Sequence, residues 1–264
     1  MYNKNIALAA QKQIGAENSE SQRRRTYMKK KLLASLLVSS AVVGASLAPL
    51  SAQATTTGTT PVTVGFEGGT LPDQDNNDGT TTAPDPGTSN TDFDILSIPK
   101  SIDFVTSKIG DDLSAIKKSG ATQKHVSVGD LRGTKEGWHL TAEIPQMSNG
   151  TDKLDGEMNF TLVPRYAEYI VNPDDKTGIY IQNIETNGLN IANDSTAPDF
   201  IGTTIKLGGG ATTLVNAPAG KGQGLWSALF QQDMTLNVTT PTQQLKKGNY
   251  TGNITWNLVA GPSI

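Results

Sequence analysis

Few residues in this sequence could carry out a reaction. It has two histidines and no cysteine in 264 residues. That removes thiol nucleophiles, zinc sites built on Cys and His, and most pairings of a base with a nucleophile. No Gly-x-Ser-x-Gly elbow, phosphate-binding loop or His-Glu-x-x-His helix is present. Gly208-Gly209-Gly210 has no helix behind it to receive a phosphate and reads as a turn. Asp and Glu are plentiful but scattered, so the sequence neither marks nor removes a glycosidase carboxylate pair. His125 and His139 alternate with bulky neighbours (Val126 and Val128; Trp138 and Leu140), which places both on polar, outward faces. The chemistry expected is binding rather than catalysis, with no catalytic residue, no metal and no cofactor.

Binding draws attention to the three tryptophans, two of which begin a Trp-x-Leu triplet. Trp138, Leu140, Ala142 and Ile144 fall on one face of an extended chain. So do Tyr250, Gly252, Ile254, Trp256 and Leu258, while the residues between them are polar. This two-residue period predicts half-buried strands. Two roles are open to the indoles: platforms stacked on sugar rings, or core residues locking two strands, worth roughly 2–3 kcal/mol apiece as buried area. The alternation favours the core, because the apolar face carries Ile144, Ile254 and Leu258 beside the tryptophans. The opposite face then becomes the ligand-facing candidate: His139, Thr141 and Glu143 on one strand, Asn253, Thr255 and Asn257 on the other.

These strands need a domain to hold them. From residue 93 the chain runs in short alternating segments separated by Gly, Asn, Asp and Pro, which predicts an all-β, sandwich-like domain over 93–264. Expected strands include 95–98, 102–105, 125–130, 138–144, 159–163, 166–171, 200–207 and 250–259. Only 111–118 has helical character, of a helix or of one short turn. The two Trp-x-Leu strands are far apart in the chain, so one domain closed by the later strand is expected rather than two in tandem.

The first 92 residues have another texture. Met28-Lys29-Lys30-Lys31 precedes an apolar run that ends in Pro49 and Ala52-Gln53-Ala54, which predicts a signal peptide over 28–54 cleaved after Ala54. Residues 1–27 read as an upstream extension, with Met28 the expected start. Residues 55–92 are rich in Thr, Gly, Pro, Asp and Asn and are expected to be a flexible acidic linker. Val62-Thr63-Val64-Gly65-Phe66 is its exception, an alternating pentad able to add an edge strand. Asp73, Asp75 and Asp78 suggest a calcium loop, but the Gly comes one place late and no Glu closes it. From Thr55 onward the chain has 14 Lys and Arg against 23 Asp and Glu, a formal charge of −9. Such a surface excludes nucleic acid as an expected partner. No membrane span is expected in the processed chain.

Val128-Gly-Asp130-Leu-Arg132-Gly133 through Gly137-Trp138-His-Leu140, the Gly220-Lys-Gly222-Gln-Gly224 segment, and Tyr250 through Leu258 followed by Gly261-Pro262 resemble the WxL domain. That family comprises cell-wall-binding modules of Gram-positive surface proteins, and the likeness runs from about residue 94 onward. It implies a secreted, non-enzymatic protein attached non-covalently to the wall, with peptidoglycan or another wall polymer as ligand. Trp138, Leu140, Trp256 and Leu258 would be its motif residues. No sortase-type Leu-Pro-x-Thr-Gly signal follows Trp256 in this sequence. The alternative is a protein-interaction subunit or adhesin that binds membrane-anchored partners or host ligands.

Overall fold

The computed structural model of the chain describes residues 58–75 and 79–263. The expected extension at 1–27 and signal peptide at 28–54 lie outside the described residues. The compact unit is Thr63–Ile264. Its strands are, in order, β1 (Thr81–Thr82), β2 (Phe93–Pro99), β3 (Ile116–Lys117), β4 (Lys124–Asp130), β5 (Trp138–Glu143) and β6 (Met147–Ser148). Then come β7 (Lys153–Leu154), β8 (Gly156–Asn159), β9 (Leu162–Val171), β10 (Gly178–Asn183), β11 (Glu185–Thr186) and β12 (Leu189–Asn190). The last six are β13 (Asp199–Phe200), β14 (Thr204–Lys206), β15 (Thr212–Ala217), β16 (Gly224–Phe230), β17 (Thr235–Val238) and β18 (Thr255–Ala260). Two single 3-10 turns are the helical content of the described residues.

The expected all-β, sandwich-like fold is present. One sheet has six strands in the order β1-β2-β4-β16-β9-β10. Two four-stranded sheets, β13-β15-β5-β18 and β14-β8-β17-β3, complete the layers. One core lies between them. It takes Val126, Trp226 and Phe230 from the six-stranded sheet, Trp138, Leu140 and Val215 from the second, and Met158, Ile205 and Leu236 from the third. All principal pairings are antiparallel, which lets each strand alternate between core and outer face.

Several local expectations are corrected. Residues 111–118 hold no helix beyond a turn at 114–115, and they include β3, which pairs with β17. The segment read as one strand over 200–207 divides into β13 and β14, which belong to different sheets. Residues 159–163 and 166–171, read as two strands, are largely merged in β9, which runs through Pro164 beside β16.

The flexible-linker expectation for 55–92 fails over most of the described part. Leu71 is buried, Thr81 is buried, and β1 pairs with β2. The Gly69 and Leu71 amides bond to the Leu131 and Thr91 carbonyls. Composition misled because a single leucine suffices when the receptor is prepared. Gly129 leaves the hole: a Cβ there would meet Leu71 Cδ2 at 2.5 Å. Leu71, Leu96, Ala167 and Tyr180 form a second small core on the far face of the six-stranded sheet. Asp73 and Asp75, the calcium candidates, are structural acceptors, taking bonds from the Asn90 amide and the Tyr169 hydroxyl.

This second core also overturns the exposed reading of His125. Its ring shares a face with Ser127 and Gly129, and the face that Leu71 covers is not open to water; His125 is 2% exposed. A strand with both faces buried still alternates in size and polarity, so alternation alone could not identify the wet side.

Candidate functional site

The two Trp-x-Leu strands are neighbours. β18 pairs with β5 antiparallel, with Leu258 opposite Leu140, Trp256 opposite Ala142 and Ala260 opposite Trp138. Both copies read Trp-x-Leu-x-Ala, and this five-residue pattern is complementary to itself when reversed. Each bulky indole faces an alanine and the two leucines face each other, so cross-strand volumes balance along the pair. Ala217 of β15 provides the same clearance on the other side of Trp138. The alanines were legible in the sequence as part of the repeat, and they explain why a two-residue spacing recurs.

The motif side chains point into the core but not equally. Trp138 and Leu140 are fully buried, whereas Trp256 and Leu258 pack on the same core from its margin and are partly exposed. Trp138 Nε1 donates to the Gly222 carbonyl at 2.9 Å, and Trp226 Nε1 donates to the same oxygen at 2.9 Å. Only glycine fits there: φ is +78°, and a Cβ would lie 2.6 Å from Trp138 Nε1. The Gly-rich segment before β16 is thus a receptor for two indoles.

The Asp-x-Arg-Gly run before the first tryptophan is a clamp. Arg132 forks onto buried Asp130 (2.9 and 2.8 Å) and bonds to Glu136, with its guanidinium 3.7 Å from the Phe93 ring centre. It also donates to the Gly137 carbonyl at 3.2 Å, which accepts the Gly261 amide at 3.0 Å as well. One carbonyl therefore ties the clamp to the far end of β18. Gly137 has φ +84°, and a Cβ would come within 2.2 Å of the Ala217 carbonyl oxygen. These residues fix the sheet, with Arg132 and Asp130 largely covered and Glu136 at the surface, a role sequence reading did not assign.

The outer face of the sheet is polar. Thr255 lies opposite Glu143, Asn257 opposite Thr141, and Thr141 opposite Thr213. Val259, His139, Asn216 and Asp199 form the next row across four strands. Residues 261–263 fold over the β15 side of this face. His139 Nδ1 bonds to the Gly261 carbonyl at 2.8 Å, the Ser263 amide to Asn216 Oδ1 at 2.7 Å, and Ser263 Oγ to Thr213 Oγ1 at 3.2 Å. A carbonyl can only accept, so Nδ1 is the donor in this bond. The side chains of Thr141, Glu143, Asn253, Thr255 and Asn257 make no hydrogen bond among the described residues.

Beside the start of β18 the face dips into a groove of about 430 Å³ lined by Pro145, Gln146, Thr251, Gly252, Asn253 and Thr255. The expected strand over 250–259 begins only at Thr255, because Thr251 first exchanges two backbone bonds with Ser148 of β6. This detour makes the groove and turns Asn253 into its wall. The structure thus brings Asn253 and Thr255 together at the groove and sets Thr141, Glu143 and Asn257 beside them. It holds His139 under residues 261–263. Hydroxyls, amides and one carboxylate on a broad open face suit a polar ligand with many hydrogen-bonding groups, such as a glycan or its peptide amides. Among the described residues no group of acidic, His or Cys side chains is placed to hold a metal ion, and no helix is long and apolar enough to cross a membrane.

A family model described as WxL domain, surface cell wall-binding, matches residues 53–262. No curated protein and no solved structure matches the chain. The matched region begins well before residue 94, in agreement with the packing of Leu71 and β1 onto the sheet.

Proposed function

Since this chain belongs to the WxL domain family of surface cell-wall-binding proteins, we propose that it is a secreted, non-enzymatic protein of Gram-positive cells, held non-covalently on peptidoglycan by the outer face of its motif sheet. The observation that carries this reading is the separation of roles within one strand pair. The motif tryptophans and leucines point to the core, and their neighbours Thr141, Glu143, Thr255 and Asn257 present unengaged hydrogen-bonding groups on the other side. The tryptophans act on binding through the fold. The acidic balance after residue 54 means that attraction rests on hydrogen bonds rather than on charge.

The test is sedimentation of the full chain with purified, protein-free Gram-positive cell walls. Retention on bare walls is the expected result. Retention on intact cells alone would replace this reading with that of a protein-interaction subunit or adhesin, which the same acidic surface favours.

A further inference from the structure

Residues 61–66, Pro-Val-Thr-Val-Gly-Phe, have the alternation of a strand with one buried face. In the structure they form no strand and bury nothing. Val62, Val64 and Phe66 are 91%, 77% and 92% exposed. The pentad expected to add an edge strand is therefore a strand-forming arm without a sheet.

The molecule also carries a sheet edge without a strand. Among the described residues β18 has β5 on one side and no strand on the other. Counted from the Gly261–Gly137 bond, the antiparallel ladder turns the N–H and C=O groups of Trp256, Leu258 and Ala260 to the open side. Among the described residues no loop backbone bonds to them. Open edges are ordinarily blunted by charge, proline, a bulge or brevity. β18 is six residues long, contains neither charge nor proline, and keeps an unbroken register. Val259 on its outer face is 43% exposed. The other edges differ. β1, β3 and β13 have two residues and β14 has three. β10 is as long as β18, but the Asp75 amide bonds to its Gly178 carbonyl, and the Tyr180 hydroxyl bonds to the Pro72 carbonyl. The inward side chains of β18, Trp256 and Leu258, are only partly covered because no fifth strand continues the sheet over them.

We propose that residues 61–66 of one molecule dock as a fifth strand on β18 of a second copy. Val62, Val64 and Phe66 extend the inward row of Trp256 and Leu258, while Thr63 and Gly65 join Asn257 and Val259 on the outer face. Each arm residue thereby exchanges water for a partner, and the open backbone groups of β18 are satisfied by strand addition. The contact is heterologous, since every molecule gives an arm and receives one, so assembly runs head to tail into rings or chains.

Light scattering on the full chain across a micromolar concentration series tests this. The mass should exceed that of a monomer and rise with concentration. Val64→Asp should return it to the monomer with an unchanged melting temperature, because that side chain is 77% exposed in the single molecule. The cysteine-free background allows a second measurement. Thr63→Cys mixed with Asn257→Cys should oxidise to a mixed disulfide dimer in large excess over Thr63→Cys mixed with Asp174→Cys, which lies on an exposed loop. A monomer at every concentration, an association that survives Val64→Asp, or a disulfide that forms only within one chain carrying both substitutions would each overturn the proposal.

Discussion

β5 and β18 carry the same Trp-x-Leu-x-Ala pattern in unlike positions. β5 lies between β15 and β18, so Trp138 meets alanines on both sides, the Gly222 carbonyl at its indole nitrogen, and no solvent. β18 lies at the margin, so Trp256 meets Ala142 on one side and open space on the other, with Phe230 edge-on at 6.3 Å. The motif sets which residues face each other, and the position of the strand sets how much each contributes. Two identical words in the sequence thus have unequal energetic weight.

Substitution at the two indoles should separate them most clearly. Trp138→Ala is expected to cost about 3–5 kcal/mol, because it empties a closed, fully packed site, and wall binding should disappear with the fold. Trp256→Ala should cost roughly half as much, since water already reaches part of that side chain. Chemical denaturation of both variants measures the difference. Equal losses would mean that the margin of the sandwich is as closed as its centre.

The alanines offer a finer probe. Ala142→Leu pushes into buried space beside Trp256 and should destabilise by about 1–3 kcal/mol. Ala260→Leu, made on the monomeric Val64→Asp background where that position is exposed, should stay within about 0.5 kcal/mol of that variant. In the arm-bearing parent the penalty should be larger, because the arm-exchanged assembly covers the open side of β18.

The smallest effect on stability is expected from the polar face. Replacing Thr141 and Asn257 with alanine should leave the melting temperature nearly unmoved while weakening retention on cell walls several-fold. Loss of stability without loss of binding would move the ligand site elsewhere, the Asn253–Thr255 groove being the first place to look.

Fold class and the orientation of the motif residues were legible because half-buried strands write their period directly into the chain. Trp138, Leu140, Trp256 and Leu258 all point where alternation placed them. What was not legible depends on partners distant in sequence. Leu71 looked like linker because its receptor is the missing side chain of Gly129. His125 looked wet because nothing local announces a second layer. The groove at Asn253 exists because two backbone bonds to Ser148 interrupt an otherwise regular alternation. The roles of Arg132 and Gly222 depend on hydrogen bonds to carbonyls outside their own strands, which residue type alone does not reveal.

The pairing of β18 with β5 has a consequence in time. A ribosome produces the first motif strand more than a hundred residues before its partner exists. Until then one long side of β5, with Leu140 and Ala142 beside it, has nothing to bond to. Closing that loop is a late and entropically expensive event. The sandwich therefore cannot complete itself before β18 has been made. The motif sheet closes only when the second Trp-x-Leu-x-Ala arrives to mirror the first.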